Sequence, residues 1–262
     1  MPKAAKVYLV DGGPGDPGLL TLRALEVIRA ADVVVHDRMV APELLERVPG
    51  RVLRVTTGKT VDHRGLGQPE VCDTLARLAL AGRRVVRLLG GDAFVLGWGS
   101  EEALALARRG IAFEIVPGVS AAAACAAYSG VPLTHRGLSR GVRFLAGHLR
   151  SNQRLAPDWS RLANPDITLA ACMSLPSLER LCQGLLEQGM DPATPGLVIQ
   201  DGTTPRQRRI FGDISTLPER ARGSGLGSPL LVLIGPTVAL AGELDGCGPA
   251  PARQTRSDEV TA

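Results

Sequence analysis

Short runs of β-branched and aliphatic residues alternate with helical spacings through the first half of the chain. Strands are predicted at 8–10, 32–35, 52–56, 84–89 and 112–116. Between the first two, 19–30 carries apolar residues at Leu22, Leu25, Val27 and Ile28, a helical period, and 68–81 and 100–109 read as further helices. The last of these begins with Ser100 as a cap and the acids Glu101 and Glu102 in its first turn, and it stops near Gly110. Strand–helix alternation of this kind predicts a mostly parallel sheet with helices on both faces.

The second half has a different pattern. Candidate strands lie at 142–146, 167–170, 197–200, 208–211 and 230–234, and 177–188 is its one long helix. Residues 202–207 form a tight turn between two strands, so this sheet is expected to be mixed. Val116-Pro117-Gly118-Val119 reads as a hinge, and Ser120 then caps a helix of alanines at 121–127, a composition that allows close packing or close ligand approach. From Gly246 the chain is Gly, Pro and charge, the signature of a disordered tail. The expected organisation is α/β, with a domain at 1–117, a second at 118–245 and a tail at 246–262.

The chain has 262 residues, 45% hydrophobic and 21% charged, which is ordinary for a folded protein and excludes a mainly disordered one. No apolar run is long enough to span a bilayer. Met1–Lys6 leads straight into the first strand without room for a signal peptide, so a cytoplasmic location is expected. Net charge is +4, and all the basic residues but Lys3, Lys6 and Lys59 are arginine. Arginine favours bidentate carboxylate or phosphate partners, although codon bias in an Arg- and Ala-rich genome explains most of the excess. With no basic run and few aromatics, nucleic acid is not an expected partner. The cysteines are odd in number and lack Cys-x-x-Cys spacing, and the histidines are scattered. Neither a disulfide framework nor a metal is expected.

Candidate chemistry sits at strand ends. Asp11-Gly12-Gly13-Pro14-Gly15-Asp16-Pro17 follows the first strand, and Gly90-Gly91-Asp92 follows the fourth. Neither loop fits a dinucleotide or P-loop pattern, and neither carries a cation for phosphate. Both belong to the carboxyl edge of the sheet, where ligands of open α/β folds bind. A neutral or cationic ligand suits them best. Asp37 follows the second strand and Lys59 the third, a placement that suits a base and an acid, but on these residues alone a surface ion pair is the favoured reading.

Taken in order, these features resemble the uroporphyrinogen-III C-methyltransferases of the tetrapyrrole methylase family. The resemblance runs from about Val7 to about Glu243. It is carried by Gly13-Pro14-Gly15-Asp16-Pro17-Gly18-Leu19-Leu20-Thr21-Leu22, Ala31-Asp32-Val33-Val34-Val35-His36-Asp37-Arg38, Arg87-Leu88-Leu89-Gly90-Gly91-Asp92, Val116-Pro117-Gly118-Val119-Ser120-Ala121, the segment from Tyr128 to Arg136, Ala146-Gly147-His148-Leu149, and Gly202-Thr203-Thr204-Pro205-Arg206-Gln207. The Leu133-Thr134-His135-Arg136 and Gly147-His148-Leu149 segments favour this branch over the diphthine-forming and ribosomal-RNA branches.

The resemblance implies two αβα domains with S-adenosylmethionine in the cleft between them, a homodimer, and no metal. By position it places the cofactor shell on Pro14, Gly90, Gly91, Asp92, Val95, Ser120, Ala121, Met173 and Gly202. It places the proton acceptor and donor on Asp37 and Lys59, and residues near the tetrapyrrole on Glu101 and Arg136. A guanidinium at Arg136 suits a substrate with eight carboxylates. The chain departs from the family pattern at Leu89, Trp98 and Cys172, and Trp98 stands where the family has an arginine at the substrate. The implied reaction is conversion of uroporphyrinogen III to precorrin-2. The alternatives are methylation of a different precorrin, or a non-catalytic paralogue that binds S-adenosylmethionine or a tetrapyrrole.

Overall fold

The computed structural model describes residues 5–57, 66–147 and 158–244. The chain divides into two compact units, Met1–Ala121 and Ala122–Ala262. The expected tail at 246–262 lies outside the described residues.

The first unit is built on five parallel strands, β1 (Val7–Asp11), β2 (Val33–His36), β3 (Leu53–Thr56), β4 (Val85–Leu89) and β5 (Phe113–Val116), in the order β3-β2-β4-β1-β5. Alternate side chains enter two separate cores. Val7, Leu9, Val33, Val35, Val85 and Leu89 pack on α3 (Gln68–Leu80) and α4 (Gly99–Arg108). Val10, Val34, Val86 and Leu88 pack on the opposite face, against α1 (Leu22–Arg29) and α2 (Pro42–Leu45). A central parallel sheet buried on both faces gives near-continuous apolar runs, which is why the strands are legible in the sequence.

The second unit carries a mixed sheet, as the turn at 202–207 predicts. Its strands are β6 (Gly141–Gly147), β7 (Ile167–Met173), β8 (Pro195–Gln200), β9 (Arg208–Asp213) and β10 (Leu230–Ile234), in the order β6-β7-β10-β8-β9. Only β6 and β7 run parallel. One face packs on α7 (Leu175–Glu187) and α8 (Leu217–Gly223), the other on the alanine helix α5 (Ala121–Ala127).

The sequence did not reveal α2, α6 (Trp159–Leu162), α8 or α9 (Ala241–Leu244), which are too short to display a helical period. The start of α4 also differs from expectation. Its N-cap is Trp98, without a side-chain cap bond, and the Ser100 hydroxyl donates to Glu101 Oε2 at 2.8 Å. Backbone packing sets this terminus instead. Gly99 N–H donates to the Ala93 carbonyl at 3.1 Å, and a Cβ on Gly99 would lie 2.5 Å from that of Ala93.

Helix α4 offers an internal test of the core. Leu106 is fully buried against the sheet, whereas Leu104, two residues earlier, is 53% exposed. Leu106→Ala is expected to cost about 2–5 kcal/mol in urea denaturation, and Leu104→Ala to stay within about 0.5 kcal/mol.

Candidate functional site

In the first unit the chain leaves β1 and β4 in opposite senses. From β1 it runs through α1 on one face to β2, and from β4 through α4 on the other face to β5. The two strands are neighbours, so their carboxyl ends form a topological switch point, where ligands of open α/β sheets bind. The glycine loops meet there. Gly13 and Gly91 bond reciprocally, Gly91 N–H to Gly13 O at 2.9 Å and Gly13 N–H to Gly91 O at 3.2 Å, and Gly12 N–H donates to Leu89 O at 2.8 Å. A Cβ on Gly12 would press to 2.9 Å on that same carbonyl. Gly91, at φ +79°, has open space where a side chain would be.

Asp11 fastens this edge. Its buried carboxylate accepts from Ala93 N–H at 2.9 Å and from Gly118 N–H at 3.1 Å, tying the end of β1 to the loops after β4 and β5. Burial pushes its carboxyl up to about 6, against the pull of the Ala93 amide, with the Asp92 charge adding to the rise.

Beside the switch point, Asp37 follows β2 with its side chain 28% exposed. Its Oδ1 accepts from Arg87 Nη2 at 2.5 Å and from the Thr57 hydroxyl at 3.0 Å. Arg87, at the centre of β4, is 1% exposed. Its Nε donates to both oxygens of Glu102 on α4, at 3.1 and 3.0 Å, and Gln68 Nε2 from α3 donates to Glu102 Oε1 at 3.0 Å. Glu102 is fully buried.

The loop that follows β4 is held by its backbone and turns apolar side chains outward. Gly97 and Gly99 lie against the Ala93 carbonyl, leaving no room for a Cβ, while Phe94, Leu96 and Trp98 are more than half or half exposed. Leu96 has φ +59°, and the other left-handed non-glycine residues among those described, Asp201 and Thr203, lie in the loop after β8 in the second unit. Such strained positions concentrate at ligand sites. The Gln207 side chain accepts from Thr203 N–H at 2.7 Å and holds that loop.

The second unit has a concavity of about 550 Å³ around residues 134–140, lined by His135, Arg136, Arg140 and Asp166 among others. His135 and Ser139 bond reciprocally across a turn in which Gly137 has φ +83°. The Ser139 hydroxyl joins a buried chain through Thr168 to Thr237, at 3.0 and 3.1 Å. Arg136 is thus exposed on a firmly anchored loop, and Arg140 pairs with Asp166.

The description "Tetrapyrrole (Corrin/Porphyrin) Methylases" belongs to the family model that matches residues 6–218. The chain belongs to the tetrapyrrole methylase family. It is 45% identical over 244 residues to a siroheme synthase of Nitrosococcus oceani, a match that covers 93% of this chain and 52% of that protein. The chain therefore spans about half the length of the curated relatives it matches. Among solved structures it resembles the uroporphyrin-III C-methyltransferase of Thermus thermophilus at 39% identity and a TM-score of 0.75, over 92% of this chain and 96% of that one. A second structure of the Thermus enzyme, complexed with S-adenyl homocysteine, matches at 36% identity and a TM-score of 0.74, over 90% of this chain and all of that one.

The residues that the resemblance in the sequence assigns to a site fall as follows. Pro14, Gly90, Gly91, Asp92 and Val95 lie in the two joined loops at the switch point, with Asp92 accepting from Phe94 N–H at 2.8 Å, and Ser120 and Ala121 close the first unit. Met173 ends β7 and is buried in the core of the second unit. Gly202 packs on α5, where a Cβ would fall 2.2 Å from Cys125 Sγ, so packing alone demands a glycine there. Glu101 is exposed and engages Ser100, whereas its neighbour Glu102 is the one that reaches Arg87. Lys59 lies outside the described residues. Sequence reasoning missed Arg87, Glu102 and the anchoring role of Asp11. A lone arginine inside the buried run Val85–Leu89 was the available signal, because such a charge requires a partner.

The raised Asp11 carboxyl predicts a pH dependence. The folded state binds this proton more tightly than the unfolded chain, so the associated stability is full below about pH 4 and is lost as pH rises through about 6. The shift from 3.8 to about 6 corresponds to ~3 kcal/mol. Urea denaturation of wild type and Asp11→Asn between pH 4 and 7 is expected to show this slope in wild type alone, and carboxyl NMR should place the Asp11 midpoint near 6.

Proposed function

We propose that the chain methylates uroporphyrinogen III to precorrin-2 with S-adenosylmethionine, in a route to sirohaem, cobalamin or haem d1. The observation that carries this reading is its likeness, over nearly all of both chains, to the Thermus uroporphyrin-III C-methyltransferase. The local chemistry supports it. The joined loops carry Asp11, Asp16 and Asp92 and no cation, and Gly91 leaves a cradle beside the backbone, which suits a cationic sulfonium better than a phosphate. Pro14, Gly90, Gly91, Asp92, Val95, Ser120 and Ala121 of the first unit are the proposed cofactor contacts, with Met173 and Gly202 of the second as further ones.

The sulfonium supplies an already activated methyl group. The protein aligns donor and acceptor carbon, mainly a proximity task, and takes up the proton that the methylated pyrrole carbon releases. Asp37 is the proposed acceptor. Its Oδ1 is occupied by Arg87 and Thr57, while Oδ2 accepts no bond among the described residues. Lys59 is the proposed donor. Arg136 and Arg140 would hold carboxylates of the tetrapyrrole bidentately, with Glu101 a further contact near it.

A second reading has a specific observation behind it. Trp98 is 57% exposed, and Phe94 and Leu96 of the same loop are exposed too; apolar side chains suit the face of a macrocycle better than its carboxylates. This favours a different precorrin as substrate. A homodimer in the cytoplasm is part of the proposal. Cys72, Cys125 and Cys182 are buried free thiols and Cys172 is an exposed one, and burial pushes Cys125 and Cys182 up to about 12; the proposed dimer rests on apolar contact and not on disulfides.

An anaerobic assay with uroporphyrinogen III and methyl-labelled S-adenosylmethionine tests the reading. Label in the tetrapyrrole is expected. Cofactor binding without product on any precorrin would make the chain a non-catalytic paralogue. In the same assay Trp98→Arg adds a charge-assisted contact worth ~1.5–3 kcal/mol if formed in the transition state, roughly ten- to a hundredfold in rate. Slower turnover by this variant would shift the substrate to another precorrin. Size-exclusion chromatography should give a dimer insensitive to reductant.

A further inference from the structure

Three charged groups run in line from the interior of the first unit to its carboxyl edge, Glu102 on α4, Arg87 on β4 and Asp37 after β2. The inner two are buried, and the outer one reaches solvent. We propose that Glu102, acting through Arg87, sets the proton affinity of Asp37, so that Arg87 and Glu102 are positioning residues for proton uptake. This rests on the reading of Asp37 as the proton acceptor.

Charge balance carries the argument. An arginine in direct contact with a carboxylate makes it a poor base, because proton uptake would leave an unmatched cation. A buried unmatched cation is strongly disfavoured. Here the second carboxylate changes the outcome. The three groups together carry −1 when Asp37 is ionised and 0 when it is protonated. The proton from the substrate carbon would bond to Asp37 and leave Arg87 neutralised by Glu102. Asp37 is thus held in place by a guanidinium whose charge Glu102 already matches.

The contacts suit that division of labour. Arg87 gives Nε to both oxygens of Glu102 and Nη2 to Asp37, so one planar group fixes both distances. Burial pushes the Glu102 carboxyl up, while Arg87 and Gln68 pull it back, and the charge of Asp37 is felt at Glu102. Among the described residues, the groups facing Asp37 are Arg87 from β4, the Thr57 hydroxyl from beyond β3, and Glu102 from α4 behind Arg87. Along its own chain His36 and Arg38 flank it, with His36 Nδ1 3.0 Å from the Asp37 carbonyl.

Two variants test this in the full chain. Glu102→Gln keeps the shape and removes the charge. Arg87→Met combined with Glu102→Leu removes both buried charges at once, an exchange that buried ion pairs commonly tolerate. The first readout is the Asp37 midpoint by ¹³C-carboxyl NMR, assigned with Asp37→Asn, which requires no activity. The midpoint is expected to fall by roughly one pH unit, about tenfold in proton affinity, in Glu102→Gln and to rise above wild type in the double variant. If Glu102→Gln does not fold, the double variant against wild type carries the same test. A midpoint unmoved in the folded variants overturns the proposal and leaves Glu102 with a packing role alone. The second readout is the acid limb of the kcat/KM profile, which should move with the midpoint. If Asp37→Asn retains full methyl transfer, Asp37 is not the acceptor, whatever the NMR midpoints show.

Discussion

A guanidinium inside a sheet is tolerable only where its charge is matched and its donors are used, and the first unit is organised around that requirement. Arg87 occupies the middle of the central strand β4, where every other side chain is aliphatic and buried. Meeting its demand takes a carboxylate from α4, an amide from α3 to support that carboxylate, and a second carboxylate from the end of β2. Four elements are thereby registered to one another by polar contacts at one spot. Replacing one member strands a buried charge, whereas replacing the whole set by hydrocarbons need not destabilise. Stability alone is therefore a poor explanation of the polar cluster, in keeping with the role proposed for it toward Asp37.

Asp11, another buried ionisable group, performs a different task at the carboxyl edge of the same sheet. Asp11 gathers the amides of Ala93 and Gly118, and the reciprocal Gly13–Gly91 bonds close the adjoining loops. The switch point of a parallel sheet is normally an open crevice between diverging loops. Here the loops are pinned by backbone bonds, so a ligand would meet a preformed surface of main chain with its cost of ordering already met.

Much of this was legible in the sequence, for identifiable reasons. The strands showed because a sheet covered on both faces needs unbroken β-branched runs, and the mixed second sheet showed in the short turn before Arg208. The glycine loops showed because backbone contact leaves no other residue possible at Gly12. What stayed hidden was pairing. Nothing in the one-dimensional pattern says that Glu102 faces inward and Glu101 outward, since both suit the first turn of a helix. The start of α4 was misplaced because a serine looked like the cap, while the determinant was two glycines packed on a carbonyl. The family resemblance puts Gly202 in the cofactor shell, and the thiol of Cys125 supplies a reason for the glycine that is internal to the fold.

The segment from Asp92 to Trp98 separates two kinds of position. Its shape is written in the main-chain contacts of Ala93 with Gly97 and with Gly99 just beyond it, and its exposed side chains Phe94, Leu96 and Trp98 make no contribution to the buried cores. Folding therefore draws on some letters of this stretch and leaves the outward ones free of any packing duty. A lineage can rewrite the outward letters one at a time, exchanging a charged contact for an aromatic one, without passing through intermediates that fail to fold.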